Sequence, residues 1–305
     1  MDFPIVELMD RQACIRWIEA YFHPTGLKCP HCQADLKQAL LFRKTKRSDL
    51  EVYRCKACRG IYNLYSGTVF EGRYFTPEQA VLFIREVVQG KSTAKLAREL
   101  HISRTTALEV RHKLQANAEQ EQSTEPLSDL EVETDEMFQN AGEKGEWHGD
   151  PQDPPRKRAN KQRGRGTYDN DRPPVCAVIG RESRQVRMRV VKNTQGGTLC
   201  PFVERFTQAQ ATLYTDEYDS YNNLKRVRHT VCHSKNEYAR DDDGDGIREV
   251  HVNSNEGGWT GLRNLLRPYR GVHKAYLSGY VAIQELAVNH KRISPALVSC
   301  LVRLH

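Results

Sequence analysis

Long apolar runs are missing from this sequence. No stretch approaches the roughly 20 residues that a membrane-spanning helix needs, and hydrophobic residues make up only 38% of the chain. No membrane partner is expected. A mean hydropathy of -0.69 still permits buried cores but implies long polar loops. No secretory leader is expected either. The opening "MDFPIVELMDRQACIRWIEAYF" has early acids and alternates apolar with charged residues, which reads as an amphipathic helix over residues 1–24. The cysteines lack an even count. Nine are present, four of them in two CxxC pairs and the rest scattered. That pattern fits a reducing, cytoplasmic setting with a metal site better than a secreted disulfide framework.

What is there begins with length and charge. The 305 residues suffice for two or three small domains. Lys and Arg number 46 against 39 Asp and Glu, a formal net charge of +7. A basic balance favours an anionic partner, and here the charge is clustered.

Cys29 and Cys32 in "CPHC" are followed by Cys55 and Cys58 in "CKAC". Each CxxC is a tight turn aiming two thiolates at one point. Two such turns complete a tetrahedral sulfur shell, which suits Zn²⁺. The short β-like runs "QALLFRK" and "EVYRC" lie between them, so residues 25–70 read as a zinc ribbon. His31 is a rival ligand, but it sits inside the first turn and four thiolates suffice. No coordination position is left open, so the zinc is expected to be structural.

Residues 74–116 read as a helix-turn-helix. Thr76 caps a first helix that has Pro77 at its first position, Leu82, Phe83, Val87 and Val88 on its apolar face, and Gly90 at its end. In "STAKLARELHISRTTALEVRHKLQ", Leu96, Ala97 and Leu100 face inward, Ile102 fills the turn and Ser103 caps the last helix. Ala107, Leu108, Val110 and Leu114 repeat there at helical spacing. The same helix carries Arg104, Thr105, Arg111 and Lys113, a candidate major-groove surface on double-stranded DNA. The polar stretch 117–129 reads as a linker.

From residue 130 to 305 the pattern changes. "LEVETDEMF", "PVCAVIGR", "QVRMRVVKN", "ATLYTDEYDSY" and "RVRHTVCH" read as strands, and "TLCPFVERFTQ" as a helix. Helical patterns fill the end of the chain. Three successive strands followed by helix–strand alternation imply an α/β sheet with helices on its faces. Asp135 and Asp216 fall at comparable carboxyl-terminal positions of different strands. Two such acids, joined by a third from a helix, can hold two Mg²⁺ ions about 4 Å apart, with Mn²⁺ able to substitute, for in-line displacement at a phosphodiester.

"VETDEMF", "YTDEYDSY" and "HVNSNEGGWTGLR", in that order behind a CxxC…CxxC ribbon, resemble the three acidic motifs of bacterial insertion-sequence DDE transposases of the ISXO type. The resemblance covers about residues 25 to 295. It implies an RNase H-like mixed sheet with flanking helices, preceded by the zinc ribbon. It also implies that Asp135, Asp216 and Glu256 are the catalytic acids and Mg²⁺ ligands, with Asn253 as the alternative third ligand. Arg263, two helical turns after Glu256, would occupy a basic position where the family usually has lysine. Asp219 is a rival to Asp216 but falls past its strand, and Trp259 is read either as a DNA-flanking or a core residue. Activity by analogy implies a homo-oligomer holding two element ends on DNA, in a nucleoid-associated, cytoplasmic setting.

Within a proposed insertion spanning 143–174, "RKRANKQRGRGTYDNDR" holds seven Arg or Lys against two Asp, a net +5. Arg156, Lys157, Arg158, Lys161, Arg163 and Arg165 are its candidate phosphate contacts. Arg263, Arg267, Arg270 and Lys274 form a second basic group. Three functions fit this much. One is a transposase that binds terminal inverted repeats, hydrolyses a phosphodiester and transfers the strand to target DNA. Another is a catalytically inactive or domesticated DNA-binding regulator. The third is a structure-selective nuclease. The acidic "DDDGDG" resembles a calcium loop in its front half, but Val252 stands where a bidentate Glu is required.

Overall fold

A computed structural model describes residues 10–143, 151–152, 163–232, 237–242, 244–246 and 248–304. They form two compact units. One runs up to Glu121 and resumes at His290; the other is Gln122–Asn289.

The first unit opens with helix α1 (Arg11–Phe22), whose N-cap Asp10 accepts from the Ala13 N–H at 2.7 Å. Strands β1 (Ala39–Lys44), β2 (Glu51–Cys55) and β3 (Ile61–Tyr62) make the antiparallel ribbon. Helix α2 (Pro77–Val88) begins with a complete capping box, in which Thr76 and Gln79 each bond the other's backbone N–H. Helix α3 (Thr93–Glu99) and helix α4 (Arg104–Gln120) follow, the latter capped by Ser103. Phe70 stacks on Phe22 at 5.7 Å and meets Phe75 edge-on at 5.1 Å, which ties α1 to the segment leading into α2. Leu82 and Leu108 do not join this core. They are 37% and 40% exposed, because the buried arcs of α2 and α4 are narrower than their apolar spacing implies.

The second unit is a five-stranded sheet in the order β6-β5-β4-β7-β8. Its strands are β4 (Glu131–Phe138), β5 (Pro174–Gly180), β6 (Val186–Val190), β7 (Thr212–Asp216) and β8 (Val227–Val231). The first three pair antiparallel, and β7 and β8 run parallel to β4. This order and these directions are those of an RNase H-like sheet. Helix α5 (Gly196–Phe206) crosses over from β6 to β7 and buries Leu199, Phe202, Val203 and Phe206 against Val132, Val178 and Leu213. A short hairpin of β9 (Ala239–Arg240) and β10 (Val250–His251) carries the acidic stretch as its connection. There the Asp241 carboxylate accepts from the Gly244 and Gly246 N–H groups, closing a turn at the hairpin's end.

Helix α6 (Asn253–Leu266) and helix α7 (Leu277–Asn289) cover the other face of the sheet, with Trp259, Leu262 and Tyr280 packed on Ala177, Ile179 and Met188. The unpaired edge of β6 is closed by α7. Buried Glu285 accepts from the Met188 N–H at 2.6 Å, and Asn289 exchanges two bonds with Val186.

Two boundaries differ from the sequence reading. Helix α8 (Pro295–Val302) belongs to the first unit rather than to a sheet domain ending at residue 305. There the buried Asn117 amide donates to the carbonyls of Leu301 and Arg303. The linker also shrinks, since α4 continues to Gln120 and buries Asn117 and Ala118. Asp129, near its far end, accepts from both the Glu182 and Ser183 N–H groups. Polar composition concealed these roles because the buried polar groups satisfy backbone ends rather than water.

Candidate active site

Alternation sorts β4 into two faces. Val132 and Glu136 turn toward the α5 side; Glu133, Asp135 and Met137 turn toward α6. In the parallel pairing, Glu131, Val132 and Glu133 stand opposite Thr212, Leu213 and Tyr214. Continuing that register by two residues puts Asp135 level with Asp216, the last residue of β7, while β4 itself runs on to Phe138 and keeps its pairing with β5, so Asp135 is not at the strand end that its sequence position suggested. Asp216 Oδ1 accepts from the Tyr218 N–H at 3.0 Å as the chain leaves β7. Glu217 and Asp219 are exposed beyond the strand end, the latter in a short 3₁₀ turn.

Glu136 joins this group from the opposite face. Its Oε2 accepts from the Tyr221 hydroxyl at 2.7 Å. Burial pushes its carboxyl up to about 7; the Tyr221 bond opposes that, while the charges of Asp135 and Asp216 push it further up. The Arg165 guanidinium pulls the other way. That arginine stacks on the Tyr218 ring at 3.4 Å. The adjoining parts of β4 and β7 thus gather negative charge in excess, with a cation from the basic segment beside it.

Helix α6 brings the third motif to β4. The Trp259 indole is buried and donates from Nε1 to Asp135 Oδ2 at 2.8 Å, so Trp259 is a core residue that also touches the first acid. Glu256 is exposed, one turn before Trp259 and on the neighbouring stripe of the helix. Asn253, the helix's first residue, is exposed and a further turn away from Trp259. Arg263 and Arg267 are exposed further along. Among the described residues, only the four ribbon cysteines form a set of three or more His, Cys, Asp or Glu side chains whose donor atoms all lie within 4.8 Å of one another. Asp135, Asp216 and Glu256 are not drawn that close.

That cysteine set joins both CxxC turns. Cys29 Sγ lies 3.5 Å from Cys58 Sγ, and Cys32 Sγ lies 3.6 Å from Cys55 Sγ. A tetrahedron with Zn–S bonds of about 2.3 Å has edges of about 3.8 Å. The cluster therefore fits a structural metal of the zinc type. His31 packs against Gly60, where a Cβ would meet its ring at 2.3 Å, and it is not part of the cluster.

The candidate nucleic-acid contacts divide. Arg104, Thr105 and Lys113 are exposed on α4. Arg111 is not: it is fully buried and donates to the Lys91 carbonyl at 2.6 Å. Its position on the stripe of Ala107, Val110, Leu114 and Ala118 turns it inward, so it is withdrawn from the exposed face. Lys274 is likewise engaged, by Glu143 and Asp171, and does not track a backbone. Arg163 and Arg165 are exposed, whereas Arg156, Lys157, Arg158 and Lys161 lie outside the described residues. Buried Glu133 and half-buried Arg181, beside the motif acids, were not singled out from sequence; nothing in strand alternation separates a buried carboxylate from an exposed one.

A strand order of this kind, with Asp135 level with Asp216, defines a protein of the RNase H-like class. The chain belongs to the family of ISXO2-like transposase domains, whose sequence model matches residues 126–287. It is 28% identical over 279 residues to an uncharacterized protein in transposable element ISH50 of Halobacterium salinarum, covering 90% of this chain and 87% of that one. Among solved structures it is similar to a chain of the simian T-cell lymphotropic virus intasome in complex with PP2A regulatory subunit B56 gamma. That match has a TM-score of 0.29 at 13% identity, over 70% of this chain and 69% of the other. The Mos1 mariner paired end complex with Mn matches with a TM-score of 0.21 at 13% identity, over 68% and 75%.

Proposed function

We propose that this transposase binds the ends of an insertion sequence, cleaves a phosphodiester there and joins the freed strand to target DNA. What supports the reading is the parallel register of β4 and β7, which carried two residues on sets Asp135 level with Asp216, together with a helix that carries Glu256 one turn before the Trp259 that bonds Asp135. All three acids offer hard oxygen donors of the kind that Mg²⁺ and Mn²⁺ prefer. Asp135, Asp216 and Glu256 would hold two Mg²⁺ ions, or Mn²⁺ in their place. When bound, such ions activate an attacking oxygen and stabilise the leaving one. Glu256 is favoured over Asn253 because it stands a full turn nearer the residue that touches Asp135.

The chain's own residues do the rest. Trp259 fixes the Asp135 carboxylate. Arg165 stands beside the acids, where it can hold a phosphate. The exposed Arg104, Thr105 and Lys113 of α4 give the helix pair the character of a DNA-reading helix-turn-helix. Arg263 and Arg267 extend the basic surface along α6. Hydrolysis and strand transfer are both displacements at phosphorus, so one set of acids serves both, and two ends held together require a homo-oligomer on DNA. The test is nicking of a DNA duplex carrying the element's terminal repeat in Mg²⁺. Asp135→Asn should abolish nicking and leave duplex binding intact; parental cutting by that variant would refute the assignment.

A further inference from the structure

Helix α6 starts without a cap of its own. Its N-cap residue, Val252, has no side chain able to accept a bond. The first-turn N–H groups of a helix need acceptors, above all in a buried setting. Here the Ser254 N–H is satisfied from another element, the Asn255 N–H is shared between that element and the Val252 carbonyl at 3.2 Å, and the Asn253 N–H reaches His251 Nδ1 at 3.4 Å. Glu133 of β4, with 0% of its surface exposed, accepts from the Ser254 N–H at 2.7 Å and the Asn255 N–H at 3.4 Å through Oε2. Its Oε1 accepts from the Ser254 hydroxyl at 3.0 Å and from Arg181 Nε at 3.1 Å. Arg181 is the compensating cation. It is held over the Tyr214 ring at 3.4 Å and donates to the carbonyls of Glu249 and His251. The His251 imidazole, its pKa lowered chiefly by burial and then by Arg181, lies 3.3 Å from Glu133 Oε1 through Nδ1.

Glu133 and Asp135 lie two residues apart on one face of β4, about 6.6 Å along the strand. Their helix partners, Ser254 with Asn255 and then Trp259, lie four to five residues apart, or about 6 to 7.5 Å along α6. The two spacings match, so the strand grips the helix at two points. Glu256 falls between them.

We propose that Glu133 is a positioning residue for the metal-binding acids: its carboxylate caps α6 from β4 and thereby sets the place and direction from which Glu256 approaches Asp135. The device rests on the reading of Glu256 as the third ligand. Its physical content is that a carboxylate at a helix N-terminus is held by both N–H bonds and the helix dipole. A shift in that cap moves the helix start relative to the strand rather than merely loosening the fold.

The experiment uses the full chain and the metal alone as probe. Mn²⁺ binding is followed by electron paramagnetic resonance for the parent, Glu133→Gln and Glu256→Gln, alongside hydrogen exchange at the α6 amides and cutting of end DNA. In the parent without metal, the Ser254 and Asn255 amides should be protected. Glu133→Gln puts an amide donor against N–H donors. It should speed exchange at those amides, weaken Mn²⁺ binding about tenfold or more, and recover cutting at high Mn²⁺. Glu256→Gln should not recover. Parental Mn²⁺ affinity in Glu133→Gln overturns the proposal. So does open-chain exchange at Ser254 and Asn255 in the parent, a measurement that decides the matter even if the variant fails to fold. Parental Mn²⁺ affinity and cutting in Glu256→Gln would instead overturn the underlying reading of Glu256. That failure is distinguishable because the exchange effect of Glu133→Gln would persist.

Discussion

Trp259 Nε1 donates to Asp135 Oδ2 across 2.8 Å, joining the second turn of α6 to the strand that carries the first acidic motif. A hydrogen bond to a metal-ligating carboxylate fixes its orientation, and removing such a partner typically lowers metal affinity or activity about 10- to 100-fold. Trp259→Phe removes the donor together with the five-membered ring of a buried indole, so some stability is lost as well. End nicking in Mg²⁺, measured where the variant is fully folded, is expected to fall within that range. Unchanged nicking would show that the bond serves packing alone.

Glu136 sets a pH dependence. Burial, with Asp135 and Asp216 adding to it against the Tyr221 bond, raises its carboxyl from 4.5 to about 7 in the folded chain. The folded state therefore holds the proton more tightly than the unfolded state. This contribution to stability is complete below about pH 4.5 and is lost as pH rises to about 7, a change of about 3 kcal/mol. Urea midpoints of the metal-free protein should fall across that window, and Glu136→Gln should flatten the fall. A Glu136→Gln profile parallel to the parent's would contradict the placement of this carboxyl.

The ribbon is small, and metal binding is expected to supply much of its folding free energy. Metal analysis should give one zinc per chain held by Cys29, Cys32, Cys55 and Cys58. Chelation should release it and open exchange in β1, β2 and β3 while leaving the amides of β4, β5 and β7 protected. Cys55→Ser should bind less zinc; full occupancy in that variant would argue against a four-sulfur site.

Two arginines of α4 should behave differently. Arg104 is exposed, so Arg104→Ala should weaken duplex binding and reduce the salt slope by about one, the signature of a lost phosphate contact. Lys113→Ala should act in the same way. Arg111 is buried on the Lys91 carbonyl, so Arg111→Ala should lower stability by about 1–3 kcal/mol and leave the salt slope alone. A changed salt slope for Arg111→Ala would return it to the DNA surface.

Much of the fold was readable because its signals are local. Caps at Thr76 and Ser103, the two CxxC turns and the strand alternation around Asp135 and Asp216 are set by neighbours a few residues apart. Arg111 was not readable. Helical spacing places a residue on a stripe, but only the packed neighbour decides whether an arginine on that stripe faces water or a carbonyl.

By itself the sequence determined the order of the parts: a four-cysteine knot, a helix pair, then strands carrying acids in an order that matches a known family. These follow from residue type and short spacing. Tertiary structure alone decided which acids share a face, that Trp259 and Glu133 hold α6 to β4, and that α8 returns to the first unit. The bonds that hold α6 to β4 and α8 to α4 join residues more than a hundred positions apart. Their energy lies in hydrogen bonds and burial that exist only once distant segments have packed.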